Sequence, residues 1–396
     1  MKTYKLNSTP VEPQNKAQPH AAPSGPALFI GLDVHNDSIA LSIAPSDSTE
    51  VRRWGVIGGT HEQVQRFVKQ IQAVHPDATL KFCYEAGPRG FPLVRFLRGL
   101  GHECIVVCPS RVPRAPGDRV KTDRRDADQL ARLHRAGELK GIHVPEPEDE
   151  ALRDLLRSRD QVRRAQHRAR QQLKMFLLRH NLRYTGTTSW TPAHLRYLAK
   201  IKMPFPAQQF ALQELMNQIT ALGQQLERFD AQLEREVAGW RWEPAVRALM
   251  SLRGVGRLNA ATLIAELGDL QRFTRPAELM SYLGLVPSEH STGEDRRQGG
   301  LTKMGNGYAR RALVEAAHHY RVSARISPPL QKRQEGLPQG VTDCAWEAQR
   351  RLHHRYRQLS GPGRKKAPVV IAAVARELSG FVWAIARQMK PHERKG

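Results

Sequence analysis

The sequence predicts an N-terminal α/β domain, a basic helical and coiled-coil connector, and a small, mostly helical C-terminal domain. Three observations predict it. Short apolar runs of strand character crowd the stretch before about residue 108. From about residue 148 the apolar spacing changes to threes and fours, and near residue 243 two helical patterns flank a turn with two glycines. The chain has 396 residues, 40% of them apolar and 25% charged, which is globular composition and enough for two or three domains. Lys and Arg number 62 against 38 Asp and Glu, a formal charge of +24. That excess points to a polyanionic partner and away from an enzyme of small metabolites.

In order along the chain, residues 1–26 are polar and proline-rich with no apolar segment, and read as a disordered tail rather than a secretory signal. Residues 27–34, 38–44 and 50–57 read as strands, and 61–74 as a helix with Val64, Phe67, Val68, Ile71 and Val74 on one face. Strand 79–84, helix 91–100, strand 104–108 and a helix from about Thr122 follow. Three meandering strands and then alternating β and α is the element order of the ribonuclease-H-like fold. Leu212, Leu215, Ile219, Leu222, Leu226, Phe229 and Leu233 form a heptad seam, expected to join copies of the chain as a dimer or tetramer. A Pro/Gly/Lys-rich break at 361–368 precedes a last amphipathic helix, 369–389. The domain expectation is 27–145, then 146–240, 241–330 and 331–396. No apolar run approaches the roughly 18 residues of a membrane span, so no membrane partner is expected. Cys83, Cys104, Cys108 and Cys344 lack paired zinc spacing, which suits a reduced, cytoplasmic protein.

Four acids carry the first chemical signal. Asp33 and Glu85 close apolar strands, and Asp123 and Asp126 share a helix face in Lys121-Thr-Asp-Arg-Arg-Asp-Ala127. Acids gathered at strand ends repel one another unless a cation joins them, and carboxylates suit Mg²⁺ or Mn²⁺. The plain alternative is four ordinary strand-end and helix-cap residues; Asp37 and Asp128 read as surface acids. Residues 153–183 carry ten Arg or Lys against Asp154 and Asp160, so Arg163, Arg164, Arg168 and Arg170 are candidate nucleic-acid contacts. A solvated face is the alternative. Gly254 and Gly256 in Leu252-Arg-Gly-Val-Gly256 match a helix–hairpin–helix, whose backbone can approach a phosphate. A plain helical turn uses similar residues. Ser288, Ser291, Thr292 and Gly293 precede Arg296, Arg297 and Lys303; hydroxyls beside cations can form a nucleophile with phosphate helpers, although such loops are most often only turns.

Taken together, Ile30-Gly-Leu-Asp33, Tyr84-Glu-Ala-Gly87, Lys121-Thr-Asp-Arg-Arg-Asp-Ala127, Leu252-Arg-Gly-Val-Gly256, Gly284-Leu-Val-Pro287 and Ser291-Thr-Gly293, continued by Arg296-Arg297, Thr302-Lys303 and Gly305-Asn306, resemble the insertion-sequence-110 family of transposases. The resemblance covers roughly residues 27–390. It implies a RuvC-like N-terminal domain whose DEDD set maps to Asp33, Glu85, Asp123 and Asp126, with bound Mg²⁺ or Mn²⁺. It also implies a C-terminal transposase domain with a catalytic serine directly before a glycine. Here Thr292 directly precedes Gly293, so Ser291 is taken as the nucleophile, Thr292 as the alternative and Ser288 as a distant third. Element ends and target DNA are the implied substrates, with a structured guide RNA from the element. Two rivals remain: a metal-only nuclease or junction resolvase with a structural serine, and a non-enzymatic nucleic-acid scaffold.

Overall fold

The structure is a computed structural model that describes residues 26–113, 123–289, 297–361 and 364–392, with nothing said of the side chains of 123–125. It forms two compact units, residues 1–144 and 145–396. Most of the expected tail, residues 1–25, lies outside the described residues.

The first unit is a five-stranded mixed sheet. Its strands are β1 (Ala27–Val34), β2 (Ser38–Pro45), β3 (Arg52–Gly58), β4 (Thr79–Glu85) and β5 (Glu103–Val107), in the order β3-β2-β1-β4-β5. β1 pairs antiparallel with β2, and β2 with β3; β1–β4 and β4–β5 are parallel. The central strands read as near-continuous apolar runs because both faces are covered. On one face, α1 (His61–Val74) and α2 (Pro92–Gly99) pack on Leu28, Ile30, Leu32 and Phe82. A capping box between Thr60 and Gln63 starts α1, and Val64, Phe67, Val68 and Ile71 of its stripe are buried, whereas Val74, in the last turn, is exposed. On the other face lies α3 (Asp123–Arg135).

Gly31 lets α3 dock. A Cβ there would lie 2.3 Å from the Ala127 carbonyl oxygen and 2.5 Å from the Ala131 nitrogen, both backbone atoms that cannot swing aside. Gly31→Ala is therefore expected to lift α3 and destabilise the first unit by about 1–3 kcal/mol, the usual cost of overpacking. Urea titration would check this, and a midpoint equal to that of the unaltered chain would refute the close contact.

The second unit is helical: α4 (Pro147–Arg179), α5 (Pro192–Lys200), α6 (Pro206–Gly239), α7 (Glu243–Leu249), α8 (Arg257–Leu267), α9 (Pro276–Tyr282), a hairpin of β6 (Pro287–Glu289) and β7 (Gln298–Leu301), then α10 (Gly307–Ala317), α11 (Pro328–Gln334), α12 (Gln339–Leu359) and α13 (Ala367–Ala386). α4 and α6 form an antiparallel hairpin. Trp240 Nε1 donates to Asp149 at 2.8 Å at its base, and Gln166 Nε2 reaches the Ile219 carbonyl at 3.5 Å farther out. Much of the heptad seam of α6 is thereby covered within one chain: Leu212 and Ile219 pack with Ala169, Leu173 and Leu177, while Leu233 joins Leu152 and Leu156; Leu226 and Phe229 stay half-buried. A heptad pattern specifies a buried stripe and not the partner that buries it.

One core runs through all three stretches that the sequence reading separates after residue 145. It joins Leu152 and Leu156 of α4, Leu249 of α7, Leu263 of α8, Leu313 of α10, Leu352 of α12 and Val374 and Leu378 of α13. By length and a mean hydropathy of 1.7, α13 could cross a membrane, but two-thirds of that window (67%) is buried inside this core.

Candidate functional site

Asp33 is next to last in β1, and Glu85 closes β4. These strands are parallel neighbours that pair Leu32 with Tyr84, so both acids stand at the carboxyl end of the sheet. Side chains alternate along a strand, so Asp33 shares the face of Gly31, and Glu85 that of Cys83. That is the face α3 covers, where the Cys83 thiol meets the Leu130 carbonyl at 3.5 Å. α3 runs antiparallel to β1, with His134 edge-on to Phe29 at 5.2 Å near the start of the strand. Burial pushes His134 down to about 4, so it stays neutral there. Asp126, one turn before Leu130, is carried toward the Asp33 and Glu85 end. Asp123 opens the same helix, and its side chain lies outside the described residues.

An open cleft of about 410 Å³, lined by Val34, His35, Asn36, Asp37, Ser38 and Pro88, lies at these strand ends. Such crevices are where open α/β sheets bind ligands. Asp33 Oδ2 is 3.1 Å from His35 Nε2. Among the described residues no three His, Cys, Asp or Glu side chains are close enough together to hold a metal ion. The donors themselves, carboxylate oxygens with His35 beside them, fit a hard divalent cation.

Sequence reasoning missed Arg89. Its guanidinium donates to the carbonyls of His35 (3.1 Å), Asn36 (3.0 Å) and Gly59 (2.7 Å), holding the turn that follows Asp33. Its only sequence signal is a cation four residues after Glu85. Asp128 is also more than a surface acid: it accepts from Ser42 Oγ at 2.6 Å and Arg53 Nε at 2.8 Å, pinning α3 to β2 and β3.

In the second unit, Ser291, Thr292 and Arg296 lie outside the described residues. Ser288 sits in β6, and its hydroxyl donates to the Gly300 carbonyl at 3.2 Å. The hairpin base is set by Gly284 and Gly305, both at positive φ. A Cβ on Gly284 would meet the Met304 backbone at 2.2 Å, and one on Gly305 the Tyr282 carbonyl at 1.9 Å. Lys303, exposed between them, holds the left-handed conformation at φ 53. Arg297 is exposed at the start of β7.

Glu266 is the buried hub of this unit. It takes two hydrogen bonds from Arg157, each 2.8 Å, and one from Asn306 Nδ2 at 2.6 Å, while Asn306 Oδ1 caps α10 through Ala309. A lone acid inside the apolar run Leu263-Ile-Ala-Glu-Leu267 was the available signal, because a buried charge demands a partner.

The two glycines of the hairpin turn divide their roles. Gly254, at φ +79, is closed in by the Ala316 carbonyl and the His319 ring, so it serves packing. Gly256 is open and exposed at the N-terminus of α8. The basic face of α4 is likewise mixed. Arg163 (3.0 Å) and Arg164 (2.8 Å), with Arg311 (2.9 Å), pair with buried Asp160. Burial alone would raise that carboxyl; hydrogen bonds from Arg163 and Arg311 outweigh it and hold it below its ordinary value. Arg170 lies over the Trp190 ring at 4.8 Å. Arg168 is exposed.

Comparison with known proteins adds the following. Residues 246–334 match the family model described as Transposase IS116/IS110/IS902 family, and residues 30–181 match a DEDD transposase model of the IS110 group. The chain is 46% identical over 363 residues to "Putative transposase y4qE" of Sinorhizobium fredii, covering 91% of this chain and 89% of that protein. It is 32% identical over 348 residues to the transposase for insertion sequence element IS1533 of Leptospira borgpetersenii, covering 86% and 98%. To the transposase for insertion sequence element IS1111A of Coxiella burnetii it is 24% identical over 305 residues, covering 73% and 76%.

Proposed function

The chain belongs to the IS116/IS110/IS902 family of transposases, and from that premise we propose that it cuts and rejoins DNA at the ends of an insertion sequence and at a target, in the cytoplasm, through a serine nucleophile and a metal-binding carboxylate set. The observation that carries the carboxylate part is the placement of Asp33 and Glu85 at the ends of adjacent parallel strands, with the helix that bears Asp126 and Asp123 across the same face. The strand order β3-β2-β1-β4-β5 supports a RuvC-like, ribonuclease-H-like reading of this unit. Asp33, Glu85, Asp123 and Asp126 would hold Mg²⁺ or Mn²⁺, which when bound supplies charge neutralisation at a scissile phosphate.

The residues of the chain do the remaining work. Ser291 Oγ attacks phosphorus, and the P–O bond to the departing DNA hydroxyl breaks as that oxygen takes a proton. Rejoining reverses the step with a new DNA hydroxyl, so the bond energy is kept in the phosphoserine ester. Arg296, Arg297 and Lys303 are assigned to the phosphate, and exposed Gly256 at the start of α8 offers backbone N–H groups to a neighbouring one. A guide RNA transcribed from the element would select the DNA sequences, since phosphate contacts position a duplex without reading it. Assembly as a dimer or tetramer is supported by apolar side chains left exposed at the far end of the hairpin, Phe205 (63%) and Phe210 (70%), beside a seam that α4 already covers in large part. The metal-only nuclease, with a structural serine, is the second reading, favoured by the carboxylate placement alone.

A reconstituted strand-exchange assay with element ends and target, with and without that transcript, tests the reading; exchange of equal efficiency without RNA overturns guidance. A separate expectation concerns the basic arm. Arg168→Gln should flatten the log–log salt dependence of binding by about 0.7–0.9, the value of one phosphate contact. Anisotropy titrations across a salt series would show it, and an unchanged slope would mean that Arg168 touches no nucleic acid. Gln at Arg163 or Arg164 should also loosen the fold, since each removes a partner of buried Asp160.

A further inference from the structure

Beyond the paired duplexes of strand exchange, the far end of the α4–α6 hairpin holds a cavity of about 700 Å³ between α4, the residues 182–190 that fold back along it, and the start of α5. Its floor is apolar, from Leu173 and Leu177. Its walls are aromatic, from Tyr184 and Trp190, and its rim is cationic, from Arg170, Lys174 and Arg183. No acid lines it.

The aromatic wall is held in place at a cost. Trp190 adopts φ 66, a left-handed conformation that a bulky side chain rarely takes. Its backbone N–H donates to His194 Nδ1 at 3.1 Å, the Arg170 guanidinium covers one ring face at 4.8 Å, and His194 meets its edge at 5.1 Å. The Tyr184 ring meets His194 at 4.7 Å, steeply inclined to it. Because His194 Nδ1 accepts, Nε2–H is left as a donor. Arg170 Nε is buried and has no hydrogen-bond partner among the described residues.

An apolar ligand would leave the cationic rim without purpose, and a duplex phosphate run needs neither the depth nor the rings. A flat heteroaromatic ring that carries phosphate matches all three zones. We propose that this cavity takes an unpaired base of a single-stranded or looped nucleic acid, stacked against Trp190 and Tyr184, with its flanking phosphates on Arg170, Lys174 and Arg183. The proposal rests on the nucleic-acid reading above and adds a site for single strands outside the carboxylate and serine machinery.

The test uses the full chain and three labelled probes of one sequence: single-stranded RNA, single-stranded DNA and the fully paired duplex. Tyr184→Ala and Trp190→Leu should each weaken single-strand binding about tenfold, the scale of one lost stacking partner, and leave duplex affinity unchanged. Trp190→Phe should recover most of the loss. The single strand bound more tightly identifies the ligand as RNA or DNA. In the unaltered chain, a 5-iodouridine-bearing single strand should crosslink within the peptide that spans 183–194. Crosslinks that map elsewhere, or equal losses on single strand and duplex, overturn the site. If the unaltered chain binds neither single strand nor duplex, the nucleic-acid reading itself fails.

Discussion

Asp33→Asn is expected to abolish strand exchange, by on the order of 10³-fold or more, while affinity for DNA stays within about twofold. The substitution keeps the shape of the side chain and removes one negative charge. Asp33 is 19% exposed, at the sheet end that Glu85 and Asp126 share, so on the proposed reading the charge lost would belong to the carboxylate set and not to a phosphate-binding surface. In a chain of net charge +24, loss of one acid is not expected to weaken attraction to a polyanion. Asp126→Asn should behave alike, because α3 brings it toward the same end. Recombination and equilibrium binding measured on the same preparation decide the matter. Exchange that persists in excess chelator, or in Asp33→Asn, would refute the carboxylate assignment. The scaffold alternative requires this variant to act as the unaltered chain does.

The second large effect is covalent. A serine nucleophile leaves the protein joined to one DNA strand midway through the reaction, whereas metal-activated water leaves a free phosphate end. Reaction on a suicide substrate, followed by denaturation, should reveal a protein–DNA adduct with the phosphate on Ser291. Ser291→Ala should lose both adduct and recombination, and Thr292→Ala should keep most of both. If the adduct survives in Ser291→Ala and disappears in Thr292→Ala, the nucleophile is one residue later and the covalent step stands. If cleavage proceeds with no adduct in the unaltered chain, the metal-only reading replaces it.

Much of the first unit was readable because strand burial writes itself as apolar runs. Ile30-Gly-Leu-Asp33 and Phe82-Cys-Tyr-Glu85 each end a buried strand on an acid, and the structure sets them side by side. Sheet order and the helix face could not be read from either segment, because both depend on pairings between distant residues. The seam of α6 shows the limit: its stripe was legible, and its partner, Leu173 and Leu177 of α4, was not. Charge misleads for a related reason. Arg163 and Arg164 count as surface cations in composition, yet a single acid, Asp160, engages both. Glu266 and Arg89 act through contacts more than 30 residues away in sequence or on backbone carbonyls, which no local pattern records.

The core that α4 shares with α13 also bears on the order of events during synthesis. The first unit is complete at residue 144, whereas Val374 and Leu378 of α13 belong to the core that Leu152 and Leu156 begin. At about 5–20 residues per second, some ten to fifty seconds separate emergence of the two ends of that core. Through that interval the ribosome carries a folded sheet followed by helices that lack their closing partner. Nascent α4 and α6 must therefore hold one another in the hairpin, or be shielded by chaperones, until the last helix arrives.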